Sequence, residues 1–178
     1  MTTSTLSAPA RTAAASFELS AFQRSLVMAV GAGFSVLGTM AAARAIGGWA
    51  PAHPAVHDLA VMTHLATVMP AVPLGAWLLL SRKGTPRHKQ LGKVWLVLMV
   101  ITAIASLFIR QLNAGSFSPI HLFVPLTLHG AWQAIATARR GDIAAHRKGL
   151  IGFYLGALTI PGIFAFIPGR LMGTWLLG

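Results

Sequence analysis

Cysteine is absent from this 178-residue chain, and acidic residues are nearly so. Without cysteine there is no disulfide, no thiolate metal site, no iron–sulfur cluster and no covalently attached c-type haem. The only acids are Glu18, Asp58 and Asp142, and none lies within a long apolar run. A proton relay built on membrane-buried carboxylates is therefore not expected. No catalytic Ser–His–Asp set, phosphate loop or zinc-protease motif occurs either.

Apolar residues dominate what is present. They make up 55% of the chain, whereas charged residues make up 10%, compared with about 25% in a typical soluble domain. The net charge is +11, but the lysines and arginines lie between the apolar runs. Anionic lipid headgroups at the cytoplasmic face are therefore the expected partner, and nucleic acid is not. The composition indicates an integral membrane protein.

Five apolar segments are each predicted to form a transmembrane helix, because about 20 apolar residues cross the hydrocarbon core. They are residues 25–43, 59–80, 94–109, 117–137 and 149–169. The predicted fold class is therefore all-α, with one transmembrane domain over residues 21–178 and a disordered cytoplasmic N-terminus over residues 1–20. The first segment could instead be a cleaved signal peptide, but its apolar run is longer than a usual signal core.

The distribution of basic residues predicts the orientation. Eleven of the 14 lysines and arginines lie in the N-terminal segment and in loops 81–93 and 139–148. Only Arg44, Arg110 and Arg170 lie on the other side of five spans. The positive-inside rule then places the N-terminus in the cytoplasm and the C-terminus in the periplasm, for a protein of the bacterial inner membrane.

A tandem two-helix repeat is predicted from four landmarks that recur in the same order, 55 to 58 residues apart. They pair His64-Leu65 with His121-Leu122, Gly75-Ala76-Trp77 with Gly130-Ala131-Trp132, Arg82-Lys83-Gly84 with Arg139-Arg140-Gly141, and His88-Lys89 with His146-Arg147. The units cover about residues 57–113 and 114–170. Both enter the membrane from the same side, so the repeat axis should lie along the membrane normal. We expect a four-helix core of spans two to five, with span one outside it.

The repeat pairs four of the seven histidines. His64 and His121 are equivalent positions near the outer surface, and His88 and His146 are equivalent positions near the cytoplasmic surface. If each pair faces inward at one depth, the two imidazoles can ligate a haem b iron. One or two haems b, one near each surface, would carry electrons across the membrane.

Simpler interpretations stay open for the histidines. The inner pair can contact lipid phosphate from the basic loops, and the outer pair can form structural hydrogen bonds between helices. His129 has no repeat partner and could replace His121 as a ligand, bond a haem propionate or simply pack. His53 and His57, beside Asp58, could hold zinc or copper, although neighbouring prolines disfavour a helix there.

Several motifs resemble a bacterial family of predicted membrane proteins of unknown function, the domain of unknown function 2306. They are GTPRHKQLGKVW (84–95), FSPIHL (117–122), ARRGDIAAHRKGLIGFYLGAL (138–158) and IPGR (167–170). The resemblance spans roughly residues 57–171 and implies a fold and a membrane location but no activity. It also implies that His64, His88, His121 and His146 are shared motif positions.

The helix order and histidine pairing also resemble, in architecture only, the cytochrome b-561 class of electron carriers. In that class the second and fourth spans share one haem, and the third and fifth share the other. This chain departs from it in its shorter histidine spacings, the lack of a sixth span and the lack of an ascorbate-site motif. The resemblance implies a haem b carrier, for which a quinone or small reductant could bind near Arg82, Lys83, Arg139 and Arg140. A cofactor-free membrane subunit or scaffold and a small transporter are the alternatives.

Overall fold

Helices account for all the regular secondary structure of the computed structural model, which describes residues 19–110 and 115–178. They are α1 (Ala21–Ile46), α2 (Leu59–Leu80), α3 (Pro86–Ser106), α4 (Phe123–Arg139), α5 (Ile143–Tyr154), α6 (Ile160–Ala165) and α7 (Leu171–Leu177). Short 3-10 helices cover Pro54–His57 and Pro119–Leu122, and a π-helical segment, Leu155–Thr159, joins α5 to α6. The all-helical prediction is confirmed. The disorder predicted for residues 1–20 falls almost entirely on residues 1–18, outside the described residues.

Four helical stretches of the described residues are long and apolar enough to cross a membrane: α1, α2, α3 and the continuous run Ile143–Ala165. The predicted fourth span, residues 117–137, instead contains a 3-10 turn followed by α4, which has only 17 residues. The shortening follows from Pro119, which starts the 3-10 turn and delays the α-helix to Phe123. Four apolar spans fit a multi-pass membrane protein.

The outer surfaces of the helices are apolar as well. Trp132 is 61% exposed and Ile163 58%, and many other large apolar side chains share this exposure. A contiguous apolar surface of this kind is unfavourable in water and marks contact with a membrane or a partner. Lipid chains are the natural environment for these faces.

Side-chain caps decide where the helices begin. Asp58 accepts a hydrogen bond from the Ala60 amide at the start of α2, and Asp142 accepts one from the Ala145 amide at the start of α5. Thr85 does the same for the His88 amide at the start of α3. Two of the three acids are therefore helix caps. Because α3 and α5 start before their apolar runs, His88 and His146 lie in helical first turns and not in loops.

Packing arranges α2, α3, α4 and α5 in a ring. Each of these helices contacts the next along the chain, and α5 returns to α2. In such a ring α2 lies diagonally opposite α4, and α3 lies opposite α5. The long helix α1 packs on α2, and α7 folds back against α1. The ring therefore has two diagonal helix pairs whose side chains can meet across its centre.

The centre of the ring is filled by two large aromatic side chains from α3 and α5. The indole of Trp95 donates to the Ala71 carbonyl (2.9 Å), and the hydroxyl of the fully buried Tyr154 donates to the Val72 carbonyl (3.0 Å). Gly75 makes room for both, since a Cβ there would lie 2.6 Å from the Trp95 indole nitrogen and 2.7 Å from the Tyr154 ring. The core thus ties α3 and α5 to α2.

The last long span is not a regular α-helix. Residues 149–169 were predicted as one span, and the helix instead widens into a π-helical segment at Leu155–Thr159 before ending at Ala165. Pro161 has no N–H to donate to the carbonyl four residues earlier, so the normal ladder cannot continue through this turn. Segments of this type occur often at functional sites, and this one lines the cavity described next.

Candidate functional site: a cavity and two histidine pairs

A cavity of about 580 Å³ lies among α2, α3, α4 and the π-helical segment, at the end of the bundle where α2 begins. Its volume falls within the range of about 300–1,000 Å³ that is typical of small-molecule sites. Most of its wall is apolar. Among the described residues of the wall, the polar ones are His53, His64, Thr102, Ser106, Thr127 and Arg170.

Hydrogen bonds to α3 fix the ring of His64. Its Nδ1 lies 3.1 Å from the Thr102 carbonyl oxygen and 2.9 Å from the Ser106 hydroxyl. Because the Ser106 hydroxyl donates to the same carbonyl (2.8 Å), its oxygen is left to accept from His64 Nδ1–H. This assignment puts the ring proton on Nδ1 and leaves Nε2 as a hydrogen-bond acceptor or metal ligand. A second link between the helices joins the hydroxyls of Thr67 and Thr102 at 2.7 Å.

His121 has different surroundings from His64. It is buried in the 3-10 turn before α4, with the Phe117 ring edge-on at 5.0 Å. Its Nδ1 lies 3.1 Å from both the amide nitrogen and the carbonyl oxygen of Ser118, and none of the described residues forms a hydrogen bond with its buried Nε2. Among the described residues that line the cavity, His64 is included and His121 is not. The two outer histidines therefore do not share this cavity.

The structure brings the inner histidines to one end of the bundle. His146 places its Nδ1 2.9 Å from the Ala134 carbonyl oxygen and 3.3 Å from the Thr137 hydroxyl. His88 has a buried Nδ1 to which no residue in the described part of the chain is hydrogen-bonded. His146 lies within electrostatic range of the His88 ring, and so does Lys83. The positive charges that act on His88 therefore include Lys83 and, when it is protonated, His146.

An aromatic contact joins α3 and α5 two helical turns deeper than the inner histidines. Trp95, seven residues after His88, meets Phe153, seven residues after His146, edge to face with centroids 5.2 Å apart. Residues seven apart share a helix face, so the faces that carry the inner histidines also carry this aromatic pair. A Cβ at Gly130 would lie 2.9 Å from the Phe153 ring. In the same way, a Cβ at Gly75 would crowd Trp95.

The remaining histidines lie outside these pairs. His129 is exposed on α4, with its Nε2 3.3 Å from Gln133 and its ring 5.7 Å from Trp132. His53 lines the cavity and accepts from the Ala55 amide, whereas His57 is exposed. Within residues 19–110 and 115–178, no three His, Asp or Glu side chains group as a metal site. The zinc or copper interpretation therefore gains no support.

Sequence reasoning overlooked the hydroxyl groups. Thr102 and Ser106 lie four residues apart on one face of α3, and they orient His64, which lies on another helix. A pair of hydroxyls at this spacing in an apolar run was a usable signal, because buried hydroxyls need partners. The position of Arg170 on the cavity wall had no comparable signal, since the chain must first fold back after α6.

The family with the description "Predicted membrane protein (DUF2306)" matches residues 61–174, well over half of the chain. The chain belongs to this family. The match runs from the start of α2 into α7, so the cavity's main walls and all four paired histidines of this DUF2306 protein lie within it, while α1 precedes it. Comparisons with curated proteins and with solved structures gave no significant match. The family recognised from the motifs is confirmed, and the likeness to the cytochrome b-561 class stays a prediction.

Proposed function

We propose that this DUF2306 protein is a b-type haem carrier that moves electrons across the bacterial inner membrane. The bonding of the four paired histidines carries the proposal. In His64 and His146, Nδ1 is bonded to a main-chain carbonyl, which leaves Nε2 for a ligand. Histidines that ligate metals are usually held in this way. In His88 and His121, one buried ring nitrogen has no hydrogen-bond partner within residues 19–110 and 115–178.

The residues fit a haem better than a metal ion held by protein alone. A buried polar atom without a partner costs about 1–3 kcal/mol, and coordination to iron would remove that cost. Two histidines suffice for haem b, because the porphyrin nitrogens fill the equatorial positions. When bound, the haem would supply single-electron exchange. The histidines would hold the iron, and the positive charge of Lys83, which acts on His88, would favour a haem carboxylate nearby.

The inner pair has the stronger support. His88 and His146 lie in the first turns of α3 and α5, whose corresponding faces meet two turns deeper through the aromatic pair. The outer pair has less support, because His64 bonds to α3 and lines the cavity while His121 bonds within its own turn. One haem at the inner pair is therefore the core of the proposal, and a second at His64 and His121 is its extension.

The proposal includes the tandem repeat. The similarity of the two interhelical turns is one observation that supports the repeat. Gly84 and Gly141, equivalent in the sequence units, both adopt positive φ angles, 81° and 71°. Each is followed at once by a capping residue, Thr85 or Asp142. The matching contacts of Trp95 with Gly75 and of Phe153 with Gly130 are a second support. A repeat of this kind makes α4 a fifth, short span.

Five spans would place the N-terminus in the cytoplasm and the C-terminus in the periplasm. The exposed residues Arg82, Arg139 and Arg140 would then face anionic lipid at the cytoplasmic surface. The same basic surface, close to His88 and His146, is where a quinone or small reductant could deliver electrons.

A reduced-minus-oxidised absorbance spectrum of the purified protein tests the proposal. A b-type α-band, together with about one or two haems per chain by pyridine haemochrome assay, is the expected result. Absence of haem from protein made with a sufficient haem supply would contradict it, and the cofactor-free subunit would then lead. In that case the cavity would still support a small-molecule function, since ligand binding there requires no haem.

A further inference from the structure

We infer that the cavity of about 580 Å³ binds a membrane-soluble quinol, an amphiphile with hydroxyl groups on its head group. One of these hydroxyls donates a hydrogen bond to His64 Nε2. This site is separate from the inner histidine pair, at the opposite end of the bundle. The inference goes beyond the haem proposed at the inner pair, and it replaces the second haem at His64 and His121, because both ligands would use His64 Nε2.

The shape of the site sets the size and polarity of its ligand. The α2 residues on its wall run from Val61 to Val72, which is about 16 Å of helix at 1.5 Å per residue. Apolar side chains including Val68, Met69 and Met99 form the deeper part of the wall. A cavity of this length and polarity fits an apolar chain better than a compact polar solute.

The tautomer of His64 sets which head group the site prefers. With Nδ1–H bonded to Thr102 and Ser106, Nε2 can only accept. The protein holds the ring rigidly through these bonds, so the acceptor is preorganised. A head group with a hydroxyl satisfies it, whereas an ether or a carboxylate offers only further acceptors.

At its outer end the cavity wall offers a hydrogen-bond donor, whereas His64 Nε2 is an acceptor. Arg170 and His53 lie on the wall there, and a guanidinium is a donor without acceptor capacity. A quinol carries oxygen atoms on both sides of its ring. One of them can donate to His64 while others accept from Arg170.

Binding of a matched pair of probes tests this inference. Protein in nanodiscs would be titrated anaerobically with a short-chain ubiquinol and with its dimethyl ether, which keeps the ring and tail but has a methoxy group in place of each hydroxyl. Empty nanodiscs would correct for partition into lipid. We expect the quinol to bind at least tenfold more tightly than the ether. His64→Leu should abolish that difference, while His57→Leu, at an exposed histidine off the cavity wall, should preserve it. Equal affinity of the two probes for the unmodified protein would overturn the inference.

A cavity-filling variant locates the site. Ala103 is buried on the wall, so Ala103→Phe should reduce quinol affinity more than tenfold, and Ala157→Phe provides a second test from the π-helical segment. The control is Ala66→Phe on the exposed side of α2. Unchanged binding in both filled variants would overturn the inference, as would tighter binding of laurate than of quinol.

The haem content of the same samples separates the two proposals. Quinol binding by haem-free protein would leave this inference standing and contradict the haem proposal. If His64→Leu instead removes haem, and haem-loaded protein binds no quinol, the cavity is an outer haem site and this inference fails.

Discussion

Trp95 of α3 and Phe153 of α5 meet edge to face across the helical ring, with ring centroids 5.2 Å apart and planes inclined at 62°. Their separation in sequence, 58 residues, equals that of His88 and His146. Each aromatic ring lies two helical turns from its histidine and on the same helix face. The aromatic contact therefore sets the distance between the two faces that carry the inner histidines.

Replacing an inner histidine should remove the haem spectrum. We expect His88→Ala and His146→Ala each to lose the inner haem's share of the b-type α-band, because the remaining imidazole alone would hold the iron less tightly than the pair. Membrane insertion should persist, since burial of the apolar spans does not depend on these side chains. Difference spectra of membranes with equal protein content provide the measurement.

His57→Ala is the matched control for these variants, because His57 is exposed. Its spectrum should equal that of the unmodified protein. An unchanged α-band in both inner variants would exclude the inner pair as ligands.

Topology reporters decide whether the short helix α4 crosses the membrane. Reporters inserted at Gly84 and at Gly141 should both be cytoplasmic if α4 is a span, because the two turns then lie at the same surface. A reporter fused after Gly178 should be periplasmic. The decisive comparison is between the two turns, since opposite locations for Gly84 and Gly141 would mean that α4 does not cross.

Glycine at the centre of the ring is predicted to be necessary for packing. Gly75→Ala should lower the free energy of unfolding by about 1–3 kcal/mol, the usual cost of overpacking, because the added methyl collides with Trp95 and Tyr154. Gly92→Ala has open space around the added Cβ and should be neutral or stabilising by up to about 1 kcal/mol. Thermal unfolding in detergent, followed by circular dichroism at 222 nm, gives both values. Equal midpoints for the two variants would contradict the predicted crowding.

The hydroxyl pair Thr67 and Thr102 should show energetic coupling. Thr102→Val should cost about 0.6 kcal/mol and at most about 1.7 kcal/mol, as for other hydrogen bonds between membrane helices. Since the bond needs both hydroxyls, the double variant with Thr67→Val should cost less than the sum of the single variants. A double-mutant cycle on the same unfolding midpoints measures the coupling, and strict additivity would show that the 2.7 Å contact contributes nothing.

The bounds of α2, Leu59–Leu80, could be predicted to the residue, whereas those of α3 and α5 could not. An apolar run defines α2 completely, because Asp58 caps it where the run begins. In α3 the first turn is polar and basic, so hydropathy missed it. The Thr85-Pro86 pair carried the information, since a capping threonine followed by proline starts a helix.

Hydropathy could give the membrane location, and motif order could give the family, because both depend only on which residues follow one another. The direction that each histidine faces does not follow from residue order, because it depends on the rotation of every helix about its axis. That rotation is decided by packing, with Trp95 and Tyr154 filling the space that Gly75 leaves. Only the tertiary structure could therefore turn His64 toward the cavity, keep His121 off its wall and bring His88 and His146 to the same end of the bundle.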